Sequence, residues 1–89
     1  METLEELRVK LDEIDDQIVN LYEKRMDICA HVGEYKIQTG KKVLDRQREK
    51  EKLENVAGKA SNPFNKKGVT ELYEQLMSMS RKLQYEQLV

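Results

Sequence analysis

The chain has 89 residues, 38% hydrophobic and 37% charged, and its 16 basic and 17 acidic side chains leave a net charge of −1. That length suits a single domain, residues 1–89, whose thin core buries only ~60% of the unfolded surface. The near-zero charge excludes a global field that would steer nucleic acid or an anionic membrane, so any anion site must be local.

One Pro and four Gly leave few helix breakers, which predicts an all-α fold. From Thr3 to about Gln38, apolar residues fall at Leu4, Leu7, Leu11, Ile14, Ile18, Leu21, Ile28, Val32 and Tyr35. Their steps of three and four describe a heptad seam on one long helix. Thr3 and Glu6 have the spacing of a capping box at its start. About 35 residues at ~1.5 Å each make a rod of ~50 Å. Two shorter helices cannot hide so long a seam, so the rod needs a partner, most simply a second copy. Gln38–Lys42 is the turn, with Gly40 placed to end the helix. A second helix follows from about Asp45, a good N-cap, to Ala60, with the stripe Leu53, Val56, Ala57 and Ala60. Ser61 to Asn65 reads as a loop around Pro63. A third helix is expected from about Lys67 to Gln87, with Val69, Leu72, Tyr73, Leu76 and Leu83 on its stripe. No stretch approaches the roughly 18 apolar residues of a membrane span, and a lone cysteine, Cys29, suits a reducing cytoplasm.

Polar residues interrupt these stripes where apolar ones belong. The seam of the first helix demands an apolar residue at position 25 and carries Arg25, with Arg8 and Lys36 on its flank. Stepping back by fours from Leu53 reaches Glu49 and then Asp45, with Arg48 on the same side. The third stripe runs through Ser80 and Gln84. Each has a plainer role taken alone. Arg25 could set register, Asp45 is an ordinary N-cap, Arg48 and Glu49 suit a solvated first turn, and Ser80 with Gln84 could join two helices. Together they describe one polar site. A buried guanidinium needs a partner because it cannot shed its proton. If the six charged groups converge, about two positive charges are left over, which a dianion would balance. Arginine forks bind carboxylates, and Ser, Gln and Glu bond hydroxyl or ether oxygens. The expected ligand is a small dicarboxylate carrying further oxygens. His31 lies off the seam and reads as a surface residue, and Cys29 as packing rather than a nucleophile.

The segments "LRVKLDEIDDQIVNLYEKRMDICAHVGEYK", "VLDRQRE" and "LYEQLMSMSRKLQ" resemble, in order and spacing, the all-α chorismate mutases, over nearly the whole chain. The resemblance implies an intertwined homodimer of three-helix chains, one helix long and two shorter, with active sites shared between subunits. It implies the Claisen rearrangement of chorismate to prephenate, on the way to phenylalanine and tyrosine, without metal or cofactor. It also implies roles. Arg25 grips one carboxylate, and Arg8 from the partner subunit helps clamp the pair. Lys36 donates to a carboxylate and to the ether oxygen, and Gln84 donates to the same ether oxygen. Glu49, with Asp45 nearby, holds the ring hydroxyl. Ser80 contacts the ring carboxylate, and Arg48 binds or orients close by. An isochorismate-pyruvate lyase of the same fold and a non-catalytic helical dimerisation module are the alternatives. The "SMSRKLQYEQL" end is similar to the mutase domain of bifunctional mutase-dehydratases.

Overall fold

Each helix begins on a capping side chain written in the sequence, and the first ends on a glycine. The computed structural model describes all 89 residues and contains three helices, α1 (Leu4–Thr39), α2 (Arg46–Lys59) and α3 (Pro63–Gln87), with no strand. Thr3 caps α1 by accepting from the Glu6 backbone N–H at 3.1 Å, and no return bond from the Glu6 side chain completes the box. Gly40 ends α1 in the left-handed region at φ 71°, where a Cβ is costly. The next amide, of Lys41, then reaches back to the Lys36 carbonyl at 2.9 Å. Asp45 is the N-cap of α2 and accepts from the Arg48 N–H at 3.0 Å.

The start of α3 departs from expectation. The segment read as a loop up to Asn65 is largely helical, because Asn62 caps it and accepts from the Asn65 N–H at 2.8 Å. Pro63 occupies the first turn, where its missing N–H has no partner to lose. The proline that looked like a breaker is therefore a helix start.

α3 lies in the middle. It packs on α1 along one side and on α2 along the other, while α1 and α2 do not pack on each other. The interior is small: Val43, Val56 and Met77 are the buried apolar residues, and no side chain is fully enclosed. The chain measures 57 × 25 × 15 Å with a radius of gyration of 16.4 Å, against about 12 Å for a compact chain of this length. Its accessible surface is 7397 Å², where a folded monomer of this mass exposes about 5,400 Å². Much of the excess is the α1 seam. Leu11 and Ile18 are each 57% exposed, Leu21 62% and Ile28 64%.

Candidate active site

The heptad step that lays the seam along α1 also lays a polar row beside it. Arg25, Cys29, Gly33 and Lys36 follow one another at four, four and three residues, so they share a helix face. Opposite them α3 presents Met77, Ser80 and Gln84, all buried. Two polar groups at the heart of the α1–α3 contact are tolerable only if bonded, and both are. The Arg25 Nη1 donates to Ser80 Oγ at 2.7 Å, and Ser80 Oγ passes its own proton to the Leu76 carbonyl at 2.8 Å. Gln84 Nε2 donates to the Cys29 carbonyl at 2.9 Å. The Cys29 thiol lies behind them, donating to Ser80 Oγ at 3.3 Å. One turn on, Gln87 Nε2 donates to the Ala30 carbonyl at 2.8 Å. The α3 helix is thus stitched to α1 by two amides that land on consecutive carbonyls.

Arg25, Ser80 and Gln84 line a cavity of about 180 Å³ that also borders Val43 and Met77. That is below the usual range for drug-sized ligands and suits a small metabolite. α1 contributes Arg25 and Lys36, α2 contributes Arg48, Glu49 and Lys52, and α3 contributes Ser80, Arg81 and Gln84. Six of the eight site residues expected from the sequence therefore meet at one hollow: Arg25, Lys36, Arg48, Glu49, Ser80 and Gln84. Asp45 does not line it. Its side chain is spent on capping α2 and is exposed. Arg8 does not line it either, being exposed on α1 and separated from Arg25 by about 25 Å of helix.

Lys52 and Arg81 join the site unannounced. Lys52 is one turn beyond Glu49, and Arg81 is one turn beyond Met77, so each follows a wall residue at helical spacing. In a chain with 37% charged residues, that spacing alone does not separate them from solvated surface.

The electrostatics differ from expectation in amount and agree in sign. Five cations (Arg25, Lys36, Arg48, Lys52 and Arg81) face one carboxylate, Glu49. Only Arg81 among them is ion-paired, and its partner is Glu49. Arg25 has neutral company, Ser80, the Cys29 sulfur at 3.6 Å and the Tyr73 ring at 6.0 Å. Lys36 Nζ donates to the Val43 carbonyl at 2.8 Å, which leaves two of its three donors free. Four positive charges thus meet in one hollow without a counter-ion from the chain. Such a cavity attracts a small polyanion, and two of its cations, Arg25 and Lys36, are already held by bonds to Ser80 and the Val43 carbonyl. No group of His, Cys, Asp or Glu is gathered anywhere to hold a metal ion.

Two other hollows lack this chemistry. One of about 460 Å³ lies at the α2–α3 turn beside Phe64. The other, about 520 Å³, is an apolar groove between α1 and α3 lined by Ile18, Leu21, Leu72 and Leu76, and Arg25 borders it as well.

A chorismate mutase of Methanocaldococcus jannaschii is 42% identical over 50 residues, which is 56% of this chain and 50% of that protein. The chain therefore spans about half the length of the curated relative it matches. The family described as chorismate mutase type II matches residues 7–85. That span takes in α2 whole, nearly all of α1 and α3, and every residue that lines the polar cavity. On that match the chain belongs to the chorismate mutase type II family.

Proposed function

We propose that the chain catalyses the Claisen rearrangement of chorismate to prephenate, as a homodimer whose active sites draw on both subunits. The observation that carries this reading is the cavity with four unpaired cations, one carboxylate and two bonded amide and hydroxyl groups, drawn from three helices. Chorismate is a dicarboxylate with an enol ether and a ring hydroxyl, and the lining offers a partner for each. Arg25 and Arg48 take the carboxylates, with Ser80 beside Arg25. Glu49 accepts from the ring hydroxyl. Lys36 and Gln84 keep free N–H donors for the ether oxygen, since each uses only one on the protein.

The reaction is unimolecular and has two levers. Clamping both carboxylates holds the enolpyruvyl arm over the ring, so that part of the barrier is met as lost freedom on binding. As the C–O bond breaks, negative charge grows on the ether oxygen. Lys36 and Gln84 donate to it from fixed positions in a site screened from water. One such donor is worth ~3 kcal/mol, about a hundredfold in rate.

The uncovered seam supports the second subunit. The surface in excess of a compact monomer is about 2,000 Å² per chain, more than the ~800 Å² per partner of a standard interface. A copy laid along α1 would bring its own α1 start to this chain's cavity, which is where Arg8 finds its role. A reducing cytoplasm fits the single free thiol, Cys29. No helix is long and apolar enough to cross a membrane.

The test is direct. Purified protein is mixed with chorismate, its ultraviolet loss is followed and the product identified, with Arg25→Ala alongside. Prephenate from the parent and little from the variant is the expected result. A folded parent that leaves chorismate untouched overturns the reading, and turnover of isochorismate to salicylate and pyruvate would replace it with the lyase.

A further inference from the structure

The catalytic roles above leave Arg81 unused, although it lines the cavity and holds the one acid in it. We propose that Arg81 is a positioning residue that sequesters Glu49, keeping this carboxylate off the cations that must receive the substrate. The inference rests on the chorismate reading of the same site.

Three observations carry it. First, Glu49 is surrounded by cations. Arg48 precedes it, Lys52 follows one turn later, and Arg25 and Lys36 face the same hollow from α1. A carboxylate free to choose among them would neutralise one of the four, among which Arg25 and Arg48 are the seats for the substrate carboxylates and Lys36 the donor to its ether oxygen. Second, the Arg81–Glu49 pair is the only side-chain bridge between α2 and α3, and its two side chains are 29% and 24% exposed. It is therefore partly shielded from water and positioned by both helices rather than by one flexible stem. Third, the contact is single. Arg81 Nη1 engages Glu49 Oε1, so Oε2 stays open to accept from a substrate hydroxyl. Arg81 sits beside Ser80 on α3, so the helix that carries Ser80 and Gln84 also fixes the acceptor on α2.

A sequestering role makes a prediction that direct substrate contact does not. Arg81→Ala should raise KM roughly tenfold with kcat little changed, because Lys36 and Gln84 are untouched. Arg81→Lys should recover most of the loss, since one charge on Oε1 suffices. The deciding measurement is a double-mutant cycle with Glu49→Gln, which removes the charge to be sequestered. In that background Arg81→Ala should change KM by about twofold or less. Far-ultraviolet circular dichroism and thermal unfolding of each variant establish that the chains compared are folded, and Arg81→Gln, which removes the charge but keeps a side chain of polar length, serves if Arg81→Ala is not. A tenfold loss that persists in the Glu49→Gln background overturns sequestration and makes Arg81 a direct ligand. Unchanged KM in folded Arg81→Ala overturns it as well. A parent that does not turn over chorismate overturns the functional reading and the Arg81 role together, whereas an active parent with no coupling removes the Arg81 role alone.

Discussion

Gly33→Ala separates stability from catalysis in an unusual direction. Gly33 is the one buried residue of α1, and in an ordinary helix the added methyl would stabilise by about 1 kcal/mol. Here a Cβ would stand 1.9 Å from Gln87 Oε1, 2.9 Å from Gln87 Cδ and 3.0 Å from Gln84 Cγ. The Gln87 amide is the far end of a flexible side chain and can swing out. It would lose its bond to the Ala30 carbonyl, worth about 1 kcal/mol, and would free its Oε1, which is buried without a partner. Those effects offset, so stability to urea should stay within about 1 kcal/mol of the parent. Gln84 has no such exit. It is 6% exposed, and its Cγ sits in the α1–α3 contact. It must shift by a few tenths of an ångström and carry its amide away from the ether oxygen. A misplacement of about 1 Å can cost a hundredfold, so a loss of roughly tenfold in kcat is expected. Urea unfolding and initial rates of chorismate loss measure the two quantities. Parental kcat in a folded Gly33→Ala protein would refute the claim that this close approach positions Gln84.

Three further outcomes follow from the same geometry. Lys36→Ala and Gln84→Ala should each lower kcat by about a hundredfold with smaller changes in KM; a normal kcat in Lys36→Ala sinks its assignment as an ether donor. Asp45→Ala should cost about 1 kcal/mol by removing the α2 cap, and Asp45→Ser should restore it. If Asp45→Ser regains stability but not turnover in steady-state assays, the carboxylate itself reaches the substrate. Ile14→Lys places a charge on the half-exposed seam, about 16 Å of helix from Arg25. Sedimentation should report a monomer and the chorismate assay little activity, and an active monomer would refute the shared site.

The long helix and its caps were legible because their signals are local. Thr3, Gly40 and Asp45 each act within one turn of themselves. The site was legible for a different reason. Arg25, Glu49, Ser80 and Gln84 stand where a 3.6-residue period demands apolar groups, so each is conspicuous against its own helix. Lys52 and Arg81 were hidden because they interrupt nothing. Their place in the cavity depends on how α2 lies against α3, and nothing in either helix alone encodes that contact. Pro63 misled because proline serves both to break helices and to begin them, and only the Asn62 cap decides between the two. Arg8 and Asp45 show the remaining limit. The resemblance brought Arg8 to the pocket from a second subunit, and a single chain, which keeps it about 25 Å from Arg25 along α1, does not reach that question, while Asp45 is used to start α2.

The three-residue interior of this chain changes what surface means for its mutations. Val43, Val56 and Met77 are the only large apolar side chains that a single copy buries, so exposure stops being a guide to tolerance. Substitutions at Leu11, Ile18, Leu21 or Ile28, each more than half exposed, should be as restricted as those in the heart of an ordinary domain, while the exposed α2 charges Lys50, Glu51, Glu54 and Lys59 drift freely. On the proposed homodimer, a mutational scan of this protein would draw a map of the assembly rather than of the chain, with its least permissive positions running in a line along the outside of α1.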